Sequence, residues 1–382
     1  MNCLDTRIID SIKDTDKESY NSIQDEGHPF FDYEFLYCLE ESGCIGKGKG
    51  WDPRYILLYD KDKLVGSLPF FIKTDSYGEF IFDWEWARAY QQSGLNYYPK
   101  GVIGIPFTPT TGRRIIVRPG YDFKKCAKKL IDEVLRLAED LKLSSIHCLF
   151  VEPDEQKLFT EAGFMERITH QYHWHNRDYT DFDSFLDDFK SSKRKQIKKE
   201  RKAINESDIQ INILHGENIE KEHIDAMWQF YFDTHSRKWG NAYLNNDFFD
   251  LIHGHFSDNI VMVMAKERNT WLAGSFNFVK NSTLFGRYWG TITDIKNLHF
   301  ECCYYSLIDY SIKNRLQRFE AGAQGEHKFL RGFSAVPIYS SHRIFNESAQ
   351  DAISHYLENE KTYMLEIIDS YNKKSPLKYL CN

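Results

Sequence analysis

Short apolar runs of strand length alternate along the chain with longer stretches whose apolar residues recur every three or four positions, a mixture that predicts an α/β protein. Tyr55 to Tyr59 and Leu64 to Lys73 are β-prone runs on either side of Asp60-Lys61-Asp62-Lys63, which predicts a hairpin. Between Phe123 and Leu141, Ala127, Leu130, Ile131, Val134, Leu135, Ala138 and Leu141 fall on one face, so an amphipathic helix with a Lys- and Glu-rich outer side is expected. A strand from Ser145 to Val151, a short helix from Glu155 to Ala162 ended by Gly163, and a strand from Met165 to His175 follow. Phe80 to Tyr98, in contrast, has no clean period. The same order then returns. A helical segment from Phe185 to Glu206 precedes a strand at Ile209 to Leu214, a helix at Ile219 to Lys238, and strands at Ile260 to Glu267, Trp271 to Val279 and Thr283 to Trp289. A helix from Cys302 to Asn314, a strand from Arg318 to Ala321 and an amphipathic helix from Gln350 to Tyr371 complete it. The repetition implies two domains, residues 1–178 and 179–382, the second beginning with a basic helical segment at 190–206.

Composition narrows the classes. A length of 382 residues agrees with two domains, and 49 basic against 56 acidic residues give a net charge of −7, which disfavours a chain-wide grip on nucleic acid. Any polyanion site is therefore local. Lys193, Arg194, Lys195, Lys198, Lys199, Arg201 and Lys202 form the one strong basic run, either a solvated helix or a surface for a phosphate-rich partner such as tRNA. No stretch approaches the roughly 20 apolar residues of a membrane span, and the eight cysteines lack a CxxC pair, so reduced thiols and a cytoplasmic location are expected. His170, His173 and His175 have no carboxylate or cysteine at ligand spacing, so no metal is expected. No nucleophile elbow is present, and Cys302-Cys303 is read as packing.

Several segments then combine into a resemblance: FDWEWARAY (Phe82 to Tyr90), YYPK (Tyr97 to Lys100), PFTPTTG (Pro106 to Gly112), SSKRKQIKKER (Ser191 to Arg201), HFECCYY (His299 to Tyr305) and GAQGEHK (Gly322 to Lys328). As a set, and with the doubled element order, the chain resembles the FemAB-like family of double GNAT-fold proteins, labelled peptidoglycan biosynthesis or recognition. The resemblance implies tandem GNAT-like domains with mixed central sheets flanked by helices. It also implies transfer of an acyl or aminoacyl group to an amine, on a cell-wall-type precursor, from acetyl-CoA or aminoacyl-tRNA, with no tightly bound cofactor. GNAT enzymes seat acyl-CoA pyrophosphate on a glycine-rich loop at a helix N-terminus. The corresponding stretches here, Arg118 to Asp122 and Thr291 to Phe300, hold one glycine and none, with Asp122, Asp294 and Glu301 nearby. A catalytically inactive module that recognises a glycan, peptide or nucleotide-linked ligand is the competing reading.

The candidate site centres on Gly322-Ala323-Gln324-Gly325-Glu326-His327-Lys328 and Arg331, where two glycines permit close approach and acid, base and cation lie within ten residues. It is expected to form an exposed rim, or else a polar surface turn. A Fem-type pattern sets a Phe-Lys pair before Phe-Gly; here Leu330 stands at the Lys position and Ser334 at the second Gly, which leaves Lys328 as the nearest substitute. Glu301 or Glu320 is the candidate base that deprotonates an acceptor amine, with His327 and Lys328 completing the catalytic set; helix capping is the other reading of Glu301. Arg287, Trp289 and His299 are candidate ligand contacts. Asp83, Trp84, Glu85, Trp86 and Tyr90 offer an aromatic and acidic surface for sugar or peptide, unless the tryptophans are core.

Overall fold

The structure, a computed structural model, describes residues 4–24, 27–238, 242–322 and 325–380. Its two units are Met1–Thr169 with Pro337–Leu365, and His170–Val336 with Glu366–Asn382, so each is built from two separate stretches of the sequence. The strands are β1 (Leu4–Ile9), β2 (Trp51–Asp60), β3 (Lys63–Lys73), β4 (Lys100–Ile103), β5 (Ile116–Val117), β6 (Ser145–Val151), β7 (Met165–His175), β8 (Ile209–His215), β9 (Ile260–Glu267), β10 (Thr270–Lys280), β11 (Thr283–Thr291), β12 (Arg318–Glu320) and β13 (Ser334–Ile344).

In the first unit β1, β2, β3 and β4 pair antiparallel in that order, β4 then runs parallel to β6, and β5 adds to β3. Tyr339 to Ile344 of β13 pair antiparallel with β6. The predicted helix forms at Phe123–Asp140, where Asp122 caps it by accepting the Lys125 N–H, and its stripe of Ala127, Leu130, Ile131 and Val134 buries against Ile56, Leu58, Val65 and Leu68. Each of these leucine, isoleucine and valine side chains contributes roughly 1.5 to 3 kcal/mol. Pairing of β4 with β6 ends at Ile103↔Cys148. From there the loop 105–115 takes over: the Gly112 N–H donates to Phe150 O at 3.1 Å and fully buried Arg114 donates its Nε–H to Leu149 O at 2.8 Å. Glu155 accepts the backbone N–H groups of Arg114 and Ile115 and ties the loop down. Trp84–Gln92, which shows no clean period, is a helix, because Trp86 and Tyr90, one turn apart, pack onto Ile353 and Leu357 of the helix Glu347–Lys373.

In the second unit β8, β9, β10 and β11 form an antiparallel meander, β12 runs parallel to β11, and His173 to His175 of β7 pair with β12. The helix Lys221–Lys238 lies so close to β11 that a Cβ on Gly290 would sit 2.2 Å from the Phe230 carbonyl carbon; only glycine fits there. The basic segment is a helix, Ser191–Asn205, anchored by buried Ile197 and Ile204.

A buried polar chain crosses the first unit. Lys100 donates to Ser76 and Glu79, each at 2.9 Å, and to Asp83; Tyr97 donates to Asp83 at 2.5 Å and meets His147 Nε2 at 3.1 Å. His147 Nδ1 faces His342 Nδ1 at 2.7 Å, and His342 Nε2 meets Ser340 at 2.8 Å. Burial, with the Lys100 charge adding to it, lowers the His147 pKa to about 3; burial and the neighbouring His147 hold His342 well below its ordinary value. Both imidazoles are thus neutral when folded. Between pH 6.5 and about 3 the unfolded chain binds protons that the folded chain refuses, so this pair's contribution to stability is lost as pH falls below 6.5. Urea unfolding at pH 7, 6 and 5 should show His342→Asn losing less stability per pH unit than the wild type, by about 1 kcal/mol per unit. Parallel slopes would mean that the pair titrates normally.

Candidate functional site

The second unit has an opening where a register fault and a strand ending coincide. Phe276 pairs with Tyr288 but Asn277 with Gly286, which leaves Arg287 as the extra residue of a β-bulge. At the same point β11 loses its other neighbour, since pairing with β12 stops at Phe285↔Glu320. Beyond it the chain turns into the helix Leu298–Lys313, whose stretch Glu301–Tyr305 is π-helical, a distortion frequent at functional sites. After β12, Gly322 leads to the 3-10 helix Glu326–Arg331, bounded by Gly325 at φ 113° and Gly332 at φ 90°. Ala323 and Gln324 lie outside the described residues, as does the Glu326 side chain.

Lys328 occupies this opening and donates to Gly322 O at 2.8 Å, with only 3 % of its surface exposed. Its pKa is brought down to about 7, chiefly by burial; the Cys303 thiol opposes that shift and the Arg287 charge adds to it. His327 Nε2 meets Tyr304 OH at 2.8 Å, and burial with the adjacent Lys328 and Arg331 charges lowers its pKa to about 4. The His327 ring lies 5.5 Å from that of His299, which in turn lies 5.2 Å from Trp289. A lysine with its pKa lowered to about 7, a neutral imidazole and a phenol are therefore brought near one another by the 3-10 and π-helical turns. Such a set can accept a proton from an amine and hydrogen-bond to an oxyanion.

The expected exposed rim is corrected: Lys328 and Arg331 are both buried. Arg331 donates Nη1 to His327 O at 2.9 Å and Nη2 to Glu200 at 3.0 Å, and it lies 3.2 Å from the Phe300 ring centre, while Tyr305 also donates to Glu200. It holds the 3-10 helix against the basic helix and orients its neighbours. Glu301 is buried in an ion pair with Arg201 at 3.1 Å and accepts Ser306 Oγ–H at 3.0 Å; burial raises its pKa and Arg201 opposes that. Glu320 is buried beside Arg318 at 3.2 Å and 3.9 Å from His173 Nε2. Lys328, His327, Gly322, His299 and Trp289 thus come together, whereas each glutamate is engaged by a cation of its own. In the first unit Asp83 is committed to Lys100, Trp86 and Tyr90 are core, and Trp84 and Glu85 are exposed. Among the described residues no group of three or more His, Cys, Asp or Glu side chains is arranged to hold a metal ion.

Sequence reasoning missed Tyr304, Tyr305 and Glu200. The signal existed: Ile197, Glu200, Arg201 and Ile204 follow helical spacing, so the face that buries the two isoleucines also turns one acid and one base inward. Breaking the Glu200–Arg331 pair from one side should leave an unpaired buried charge. Glu200→Gln and Arg331→Met are each expected to lose about 3 kcal/mol or more in urea unfolding, and the double variant less than their sum. Additive losses would show that the two groups do not interact.

The fold is shared with known structures at low identity. FemX superposes with a TM-score of 0.55 at 12% identity, covering 92% of this chain and 100% of that one. L-PGS from Bacillus licheniformis gives 0.51 at 10% identity, covering 84% and 95%, and a conserved protein of unknown function from Bacteroides thetaiotaomicron gives 0.50 at 12% identity, covering 88% and 99%. No curated protein sequence matches the chain. The strand meander followed by a helix and a further strand is the order that the GNAT-like reading anticipated, and no described helix is long and apolar enough to cross a membrane. Residues 11–379 match the family described as peptidoglycan biosynthesis/recognition, and the chain belongs to that FemAB-like family.

Proposed function

We propose that the second unit catalyses transfer of an aminoacyl group from aminoacyl-tRNA to an amine of a peptidoglycan-type precursor. The observation that carries this reading is Lys328, a buried lysine with its pKa lowered to about 7, beside Tyr304 and His327 where β11 and β12 part. An ammonium has no lone pair to attack an ester, so the acceptor reacts as its free amine; as its nitrogen bonds to the carbonyl carbon it becomes acidic, and neutral Lys328 takes that proton. The resulting ammonium and the Tyr304 hydroxyl stabilise the tetrahedral oxyanion. As the C–O bond breaks, the ribose oxygen leaves with the proton from Lys328. The family description and the likeness to FemX support the class of reaction. In the first unit the loop 105–115 is tied to β6 where β4 stops pairing, which favours the second unit as the seat of chemistry.

The tRNA donor is favoured over acetyl-CoA by the turn Thr291 to Phe300, which has no glycine and carries Asp294 where a pyrophosphate would need bare N–H groups. The basic helix offers less free charge than its sequence suggests, because Arg194, Lys198 and Lys202 pair with Asp187, Asp183 and Glu206. Lys195 and Lys199 are exposed cations outside those ion pairs and the residues best suited to phosphate contacts.

The test uses purified protein with either bulk charged tRNA or acetyl-CoA, and a nucleotide-linked muramyl pentapeptide bearing a free amine as acceptor. Transfer is expected from charged tRNA only, with kcat/KM rising as pH increases through about 7, because Lys328 must be neutral to act. Lys328→Met should lower kcat by about 10² to 10³ and abolish that pH limb. Saturable acceptor binding with no loss of aminoacyl ester would instead establish a recognition module.

A further inference from the structure

Next to the opening just described lies a pocket of about 230 Å³ lined by Trp289, Thr291, Thr293, Asp294, Ile295, Leu298 and His299. It occupies the turn from β11 into the helix Leu298–Lys313, the place where a GNAT fold presents its anion-binding loop. Its lining is wrong for an anion. It contains a carboxylate and neither lysine nor arginine, and the Asp294 carboxylate has no hydrogen-bond or ion-pair partner among the described residues. Arg237, which reaches the Thr291 carbonyl of this turn at 2.8 Å, is also paired with Asp233. Two N–H groups at the helix start are also used internally, Leu298 to Ile295 O and Glu301 to Asn297 O, so they are not aimed at a ligand.

The lining suits a cation with an alkyl stem. Trp289 supplies an aromatic face, Asp294 a countercharge and Ile295 with Leu298 an apolar wall. Through Trp289 and His299 the pocket connects to His327 and so to Lys328. We propose that this pocket takes a primary ammonium group on an alkyl chain, carried by one of the two substrates. The ammonium preference stands on the pocket itself; only the identity of the carrier rests on the aminoacyl-transfer reading above.

The test is binding to the full-length protein, which needs no turnover. Three probes are compared by calorimetry: Nα-acetyl-lysine amide, its uncharged analogue Nα-acetyl-norleucine amide, and inorganic pyrophosphate. The lysine probe should bind at least tenfold more tightly than the norleucine probe, and Asp294→Asn should erase that preference with an unchanged melting temperature, since Asp294 is exposed. Lys328→Met should retain the preference even though the transferase reading requires it to lose turnover, so failure of one idea is distinguishable from failure of the other. Equal affinity for the two amides, pyrophosphate as the tighter ligand, or no effect of Asp294→Asn would overturn the proposal. Two competitors then identify the carrier: a lysine-bearing acceptor-type peptide, or 3′-lysyl-adenosine as the donor end. Displacement by either one supports the proposal, and displacement by neither overturns it.

Discussion

The parting of β11 from β12 is the constraint on which the second unit depends. A strand that loses a hydrogen-bonding neighbour halfway along its length has backbone groups to satisfy and a hole to fill. The bulge at Arg287 accommodates the change of direction, and the π-helical turn and the 3-10 helix bring Tyr304, His327 and Lys328 into the space. Because that filling is polar and buried, its members titrate far from their ordinary values: Lys328 near 7 and His327 near 4. The reactivity follows from the burial, and the burial from the strand geometry.

The two units meet a similar problem differently. In the first, β4 and β6 are also parallel and also stop pairing early, but the loop 105–115 is fastened to β6 by Arg114 and Gly112 and is held as well by Glu155 beyond the end of β6. Its buried charges compensate one another, Lys100 with Glu79 and Asp83, and its histidines are held neutral. In the second unit Glu301, Glu320, Arg201 and Arg331 are likewise paired within the protein, which leaves Lys328 bonded to a neutral carbonyl. Among the described residues no carboxylate lies on the Lys328 nitrogen, and a buried lysine so placed holds its proton loosely.

Much of the fold was legible in the sequence because its signals are local. The stripe from Ala127 to Ala138 makes the helix Phe123–Asp140, the turn Asp60 to Lys63 makes the β2–β3 hairpin, and the runs Ser145–Val151 and Met165–His175 are strands as the alternation predicts. The family resemblance also came from contiguous motifs, so it too was available without coordinates. Where local signals were weak, neighbours decided. Trp84–Gln92 is helical because Trp86 and Tyr90 find a partner helix more than 200 residues away in sequence, and the helix Asn246–Phe256 and the strand β13 went unanticipated.

For the candidate site, the sequence alone determined which residues could matter: the glycine-bounded loop, His327, Lys328, Trp289, His299 and the acids Glu301 and Glu320. It could not assign their states, because a side chain's protonation and availability depend on which charges face it across elements distant in the chain. Glu301 became a partner of Arg201 and Arg331 of Glu200 only when the basic helix folded back, 100 and 131 residues apart in sequence. Lys328 has its pKa lowered because the tertiary structure buried it and set its nitrogen on the Gly322 carbonyl. Residue types set the chemistry that was possible, and the long-range pairing of charges chose among them.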